Sequence, residues 1–106
     1  MKYLEWSPAT GAPRTGSYDA ITAPEGSVWA GAGIGRFQLT VNALAIASGG
    51  HVRVGLEDNL WLDVEKTRPA TNLALVERLV TIARAVERPI ATPAEARELI
   101  GLPPLA

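Results

Sequence analysis

The chain has no cysteine and a single histidine, His51. Disulfides, cysteine nucleophiles and thiolate metal sites are thereby excluded, and any metal would have to be held by histidine or by carboxylate oxygen. No apolar run reaches the roughly 18 residues of a membrane span. Met1 to Trp6 lack the apolar core of a secretory leader, so a cytoplasmic location is expected. Excess charge of one sign is also missing. Ten Lys and Arg against eleven Asp and Glu leave a net charge of -1, which gives no general pull toward nucleic acid or an anionic membrane. What is present is 47% hydrophobic and 20% charged residues over 106 positions. That composition fits one small globular domain and not a disordered chain.

Residues 1–26 carry little periodic signal. Pro8, Gly11, Pro13, Gly16, Pro24 and Gly26 interrupt the segment, which predicts irregular structure there, with room for a short helical turn around Tyr18 to Ile21. From 27 the pattern sharpens. Residues 27–33, SVWAGAG, predict a buried strand that ends in a glycine turn. Residues 36–48 contain neither Pro nor Gly, and Phe37, Val41, Leu44 and Ala45 form an apolar stripe at helical spacing. Gly49 and Gly50 end that helix. In 51–57, Val52, Val54 and Leu56 alternate with His51, Arg53, Gly55 and Glu57, which predicts a second strand with unlike faces. A polar connection over 60–70 follows. Thr71 is placed to cap a helix over 72–87 whose stripe is Leu73, Val76, Val80 and Ala83. Thr92-Pro93-Ala94-Glu95 is a capping-box pattern that opens a short helix ending near Gly101, before Pro103 and Pro104.

Strands alternating with helices imply an α/β fold with parallel pairing. Two such strands cannot cover both helices or hide their own edges, so the pattern describes 27–106 as a piece of a larger sheet or barrel. Arg53 and Glu57 then need a wet surface. In an open sheet covered on both faces they would be buried at a cost of several kcal/mol each without partners. In a barrel they look into the interior, whose C-terminal mouth houses the active site. Glu57 and Asp58 fall at that end. They could equally cap the next loop or pair with a cation, and Arg53 could form a structural ion pair or a planar donor fork for a carboxylate ligand. His51 begins its strand, at the opposite end, and is expected to be structural. Gly31-Ala32-Gly33-Ile34-Gly35-Arg36 offers a nucleotide-binding alternative, since it follows a strand and opens a helix. Arg36 occupies the position where that fingerprint has its third glycine.

The runs WAGAGIGRFQL at 29–39 and GGHVRVGLEDN at 49–59 resemble the seventh and eighth strands of the zinc-dependent β-keto acid cleavage enzymes, whose best-known members cleave 3-keto-5-aminohexanoate. The likeness continues through 70–78 and 91–102. It implies a partial (β/α)8 TIM barrel: the last two βα units plus a short C-terminal helix, the C-terminal third of the fold. It also implies acyl transfer between a β-keto acid and acetyl-CoA, giving acetoacetate and a new acyl-CoA. In that family two His and one Glu bind Zn2+; Glu57 matches the metal-binding Glu, while Arg53 and Asp58 match the catalytic Arg and Asp.

The family's H-x-H zinc pair, its N-terminal Glu, its Ser and its central Glu have no counterparts in this sequence. A catalytic zinc takes three protein ligands, so the ligand set here is incomplete and the chain alone is expected to be inactive. Three functions follow: an enzyme fragment, a nucleotide-binding βαβ module, or a non-catalytic remnant that pairs with another chain. The expected partners are the keto acid and acetyl-CoA in a full barrel, with a homo-oligomer or a complementing barrel fragment as macromolecular partner.

Overall fold

The computed structural model describes residues 27–105, so the irregular structure and helical turn expected in 1–26 lie outside the described residues. Strand β1 (Ala30–Gly31) and strand β2 (His51–Val52) pair in parallel, Ala30 opposite His51 and Gly31 opposite Val52. Helix α1 (Gln38–Ala47), entered through a 3-10 turn at Gly35–Phe37, makes the crossover between them. Helices α2 (Asn72–Ala85) and α3 (Pro93–Leu99) follow. This is the expected order of strand, helix, strand, helix and short helix, arranged as a small α/β unit.

Both strands are shorter than the sequence pattern indicates. The ladder is confined to two residue pairs, flanked by bonds from His51 N to Trp29 O at 2.9 Å and from Arg53 N to Gly31 O at 3.1 Å. The physical reason is pairing. β1 turns away after Gly31, and among the described residues no third strand lies beside β2, so the extended backbone beyond Arg53 has no ladder to join.

The helix ends follow local chemistry. The Thr71 hydroxyl accepts from Ala74 N at 3.0 Å at the start of α2. Thr92 and Glu95 close a reciprocal box at the start of α3, with Thr92 N donating to Glu95 Oε2 at 2.8 Å and Glu95 N to Thr92 Oγ1 at 3.2 Å. Each such cap satisfies backbone donors that the first turn leaves free. At the other end of α1, the Arg88 guanidinium donates to the Ile46 carbonyl at 2.9 Å and also to that of Gly50. A cation there complements the negative end of the helix and ties the segment after α2 back to α1.

The core lies between α1, α2 and the sheet. Val41, Ala45 and Ile46 of α1 are buried with Leu75, Leu79 and Ala83 of α2, and Val52 and Val54 pack against the Ile46, Leu79 and Ala83 cluster. On α1, Val41 and Ala45 are buried as the stripe predicts, but Phe37 and Leu44 are only half-buried and two polar residues, Gln38 and Asn42, take fully buried places. On α2 the expected stripe holds in part: Ala83 is buried and Val80 half-buried, but Leu73 is 68% and Val76 49% exposed, whereas Leu75 is fully buried. The helix carries two overlapping apolar stripes. The one through Leu75, Leu79 and Ala83 faces the described core, and Leu73 and Val76 are not covered by it. A helix with two apolar faces is suited to packing on more than one neighbour.

Candidate functional site

Around β2, Arg53 separates from Val52 and Val54 as alternation requires. Val52 and Val54 turn to the helices, and Arg53 and Glu57 are exposed on the other side. Glu57 sits not within a strand but in a turn just beyond β2. Asp58 N and Asn59 N both donate to Gly55 O, at 3.1 and 3.3 Å, and this turn brings residue 58 back toward Arg53. Arg53 Nη2 then lies 3.7 Å from Glu57 Oε2 and 3.8 Å from Asp58 Oδ1. The three residues singled out in the sequence thus form one cluster at the C-terminal end of β2. The turn after β1 joins them there, because Gly35 N donates to Asp58 O at 2.7 Å.

The Arg53–Glu57 pair adds little to stability. The Arg53 and Glu57 side chains are 65% and 88% exposed, against 13% for Asp58. Ion pairs this open and this long contribute about 0–1 kcal/mol. The cluster borders an open cavity of about 570 Å³ whose lining includes Gly35, Arg36, Glu57, Asp58, Trp61 and Lys66. An exposed carboxylate beside a guanidinium and a second carboxylate, at the edge of a cavity, can bind a cation, orient an anionic ligand and exchange a proton.

Glu57 is free to approach a metal and has only acceptor oxygens when ionised, which suits zinc. It provides one ligand. No three His, Cys, Asp or Glu residues come together as a metal site among the described residues. His51 does not help: it lines a different, largely apolar cavity of about 330 Å³ with Val52, Val54, Leu79 and Ala83, in keeping with a structural role.

The glycines of the nucleotide-binding alternative have packing roles. A Cβ on Gly31 would lie 2.7 Å from Ala45 Cβ, and one on Gly33 would lie 2.6 Å from Gln38 Cα. Both are needed for close approach of strand and turn to α1. The Gly35 N–H, the donor best placed for a phosphate, already donates to Asp58 O.

Side-chain amides around this cluster were not foreseeable from composition or motif. Gln38 Nε2 donates to Gly55 O at 3.4 Å, and Gln38 Oε1 accepts from Asn59 Nδ2 at 3.3 Å. Asn42 Nδ2 reaches Gly31 O at 2.9 Å and Arg53 O at 3.3 Å, while Asn72 Oδ1 accepts from Leu56 N at 3.0 Å. The available signal was the spacing: Gln38 and Asn42 stand four apart, flanking Val41 in an otherwise apolar stripe.

The connection over 60–70 folds on itself, with Leu62 N bonded to Arg68 O at 2.8 Å and Ala70 N to Leu60 O at 2.9 Å. Asp63 staples its tip, accepting from the Thr67 hydroxyl and from the amides of Thr67 and Arg68. The Thr67 hydroxyl, followed by the Arg68 amide, holds the Asp63 carboxyl below its usual 3.8. Since the folded value lies below the unfolded one, this stabilisation is complete above pH 3.8 and is lost as pH falls through the folded value. An NMR titration should show the Thr67 amide proton shifting with a midpoint below 3.8, and a midpoint at or above 3.8 would contradict the staple.

Comparison with known proteins places the chain in a family. Residues 13–102 match the beta-keto acid cleavage enzyme family, a span that begins upstream of residue 27, where the resemblance in the sequence starts. The chain is 52% identical over 79 residues to a 3-keto-5-aminohexanoate cleavage enzyme of Fusobacterium nucleatum, covering 74% of this chain and 29% of that protein. It is 48% identical over 81 residues to a 3-oxoadipate:acetyl-CoA acetyltransferase of Cupriavidus necator, covering 76% and 28%. A 3,5-dioxohexanoate:acetyl-CoA acetone transferase of Paraburkholderia graminis is 39% identical over 75 residues, covering 71% and 24%. The chain therefore spans less than a third of the length of these relatives.

Proposed function

Because the chain belongs to the β-keto acid cleavage enzyme family, we propose that it supplies one sector of the active site of an enzyme transferring an acyl group between a β-keto acid and acetyl-CoA, with acetoacetate and a new acyl-CoA as products. The observation that carries this reading is the grouping of Arg53, Glu57 and Asp58 at the C-terminal end of a parallel strand, where Arg53 and Glu57 are too exposed for their ion pair to add much stability. In a (β/α)8 barrel that end is the catalytic face.

In this reading Glu57 is one ligand of a catalytic zinc. When bound, the metal supplies Lewis acidity at the keto oxygen of the substrate. Arg53 and Asp58 act as a pair. The Asp58 carboxylate takes up and returns a proton while the carbon–carbon bond is formed or broken, and the Arg53 guanidinium orients that carboxylate or the carboxylate of the substrate.

The chain has one His, and that His lines another cavity. Two further zinc ligands would then come from residues outside those described here, in the part of the barrel that this sequence does not span. The apolar residues that α2 leaves uncovered, Leu73 and Val76, are suited to such a neighbour. This chain should be mixed with a polypeptide carrying the remaining length of the Cupriavidus necator relative, and β-keto acid cleavage followed with added zinc. The mixture is expected to turn over 3-oxoadipate while each component alone does not. Turnover by this chain alone, or none by an assembled mixture, would contradict the proposal.

A further inference from the structure

The segment bearing the charged cluster leaves the β-ladder at Arg53, yet its backbone is held at nearly every step. Asn42 ties the carbonyls of Gly31 and Arg53 together beyond the last ladder pair. One helical turn earlier, Gln38 grips the Gly55 carbonyl and receives the Asn59 amide. Asn59 in turn closes on Trp61, donating to its carbonyl at 2.7 Å and accepting from its N–H at 3.1 Å. Side chains of α1 thus replace the neighbouring strand that a ladder would use.

Gln38 is fully buried in the stripe of α1 that packs on the sheet. An apolar side chain of similar volume would fill that place without the desolvation that an amide brings. The amide is favoured there only if its hydrogen bonds fix something an apolar group cannot. What they fix is the pair of residues on either side of the exposed turn, Gly55 before Glu57 and Asn59 after Asp58.

We propose that Gln38 is a positioning residue, acting through Gly55 and Asn59 to hold the turn that presents Glu57 and Asp58. This rests on the active-site reading above. The test uses the complex of this chain with the completing polypeptide. It compares Gln38→Leu with Leu75→Ala, a core substitution in α2 that removes no hydrogen bond to the turn. Gln38→Leu should lower kcat about a hundredfold, the loss that follows when a reacting group is misplaced by about an ångström. Its KM for the keto acid should stay within about threefold. Hydrogen exchange of the 55–61 amides should quicken about tenfold with the α2 amides unchanged. Leu75→Ala should show the reverse, with faster exchange in α2 and kcat within about threefold. A Gln38→Leu complex with kcat near that of the parent, or with exchange raised evenly along the chain, would overturn the proposal. Should Gln38→Leu fail to assemble, Asn59→Ala breaks the same link from a half-buried position and is judged by the same criteria. If the parent complex has no turnover, the active-site reading fails, and the exchange contrast alone decides whether Gln38 fixes the turn.

Discussion

Glu57→Gln in the assembled complex is expected to reduce turnover by roughly three orders of magnitude, equivalent to about 4 kcal/mol of transition-state stabilisation at 1.36 kcal/mol per decade. A Lewis-acid metal contributes several kcal/mol of this kind, and weakening its hold on the protein forfeits most of it. Folding should hardly respond. The Glu57 side chain is 88% exposed and its ionic partner among the described residues, Arg53, stands 3.7 Å away, so unfolding in urea should stay within about 0.5 kcal/mol of the parent, as for other open surface sites. That contrast separates a functional carboxylate from a structural one. Steady-state kinetics and a denaturation curve on the same preparation read both quantities. Full turnover in the glutamine variant would remove Glu57 from the metal.

The opposite pattern is expected at Leu75. It is a fully buried side chain of the core between α1 and α2. Leu75→Ala deletes buried methyl groups and leaves a cavity, at a cost of about 2–5 kcal/mol. Since Leu75 does not line the cavity beside the charged cluster, kcat should be preserved at temperatures where the complex remains folded. Urea denaturation monitored by tryptophan fluorescence measures the loss. A shift below about 1 kcal/mol would show that the cavity collapses, or that α2 is packed differently from the arrangement described.

Parts of this fold were legible because short-range chemistry decides them. Thr71 and Thr92 stand where a hydroxyl meets free N–H groups, and Gly49–Gly50 follow the last apolar residue of α1, so helix order and ends could be read from neighbours in sequence. The exposed side of Arg53 was legible from the period of two, whereas Glu57 is exposed because a turn, not a strand, carries it. The length of the strands was not, since a strand continues only where a partner offers hydrogen bonds, and sequence alternation at 53–57 cannot supply one. The register of α2 was equally open. Leu73, Val76, Val80 and Ala83 make as good a stripe as Leu75, Leu79 and Ala83, and only the placement of α1 selects between them. The buried amides were missed for a related reason: Gln38 and Asn42 look like ordinary surface residues until the carbonyls of Gly55 and Arg53 are brought against them.

The central claim concerns metal binding by a single residue of this chain, and zinc titration of the assembled complex by calorimetry tests it most directly. The parent complex is expected to bind one zinc ion, and the Glu57→Gln complex to bind it about 100-fold more weakly or worse, beyond the 10–100-fold typical of losing a supporting partner. Equal zinc affinity in the two complexes would contradict the account.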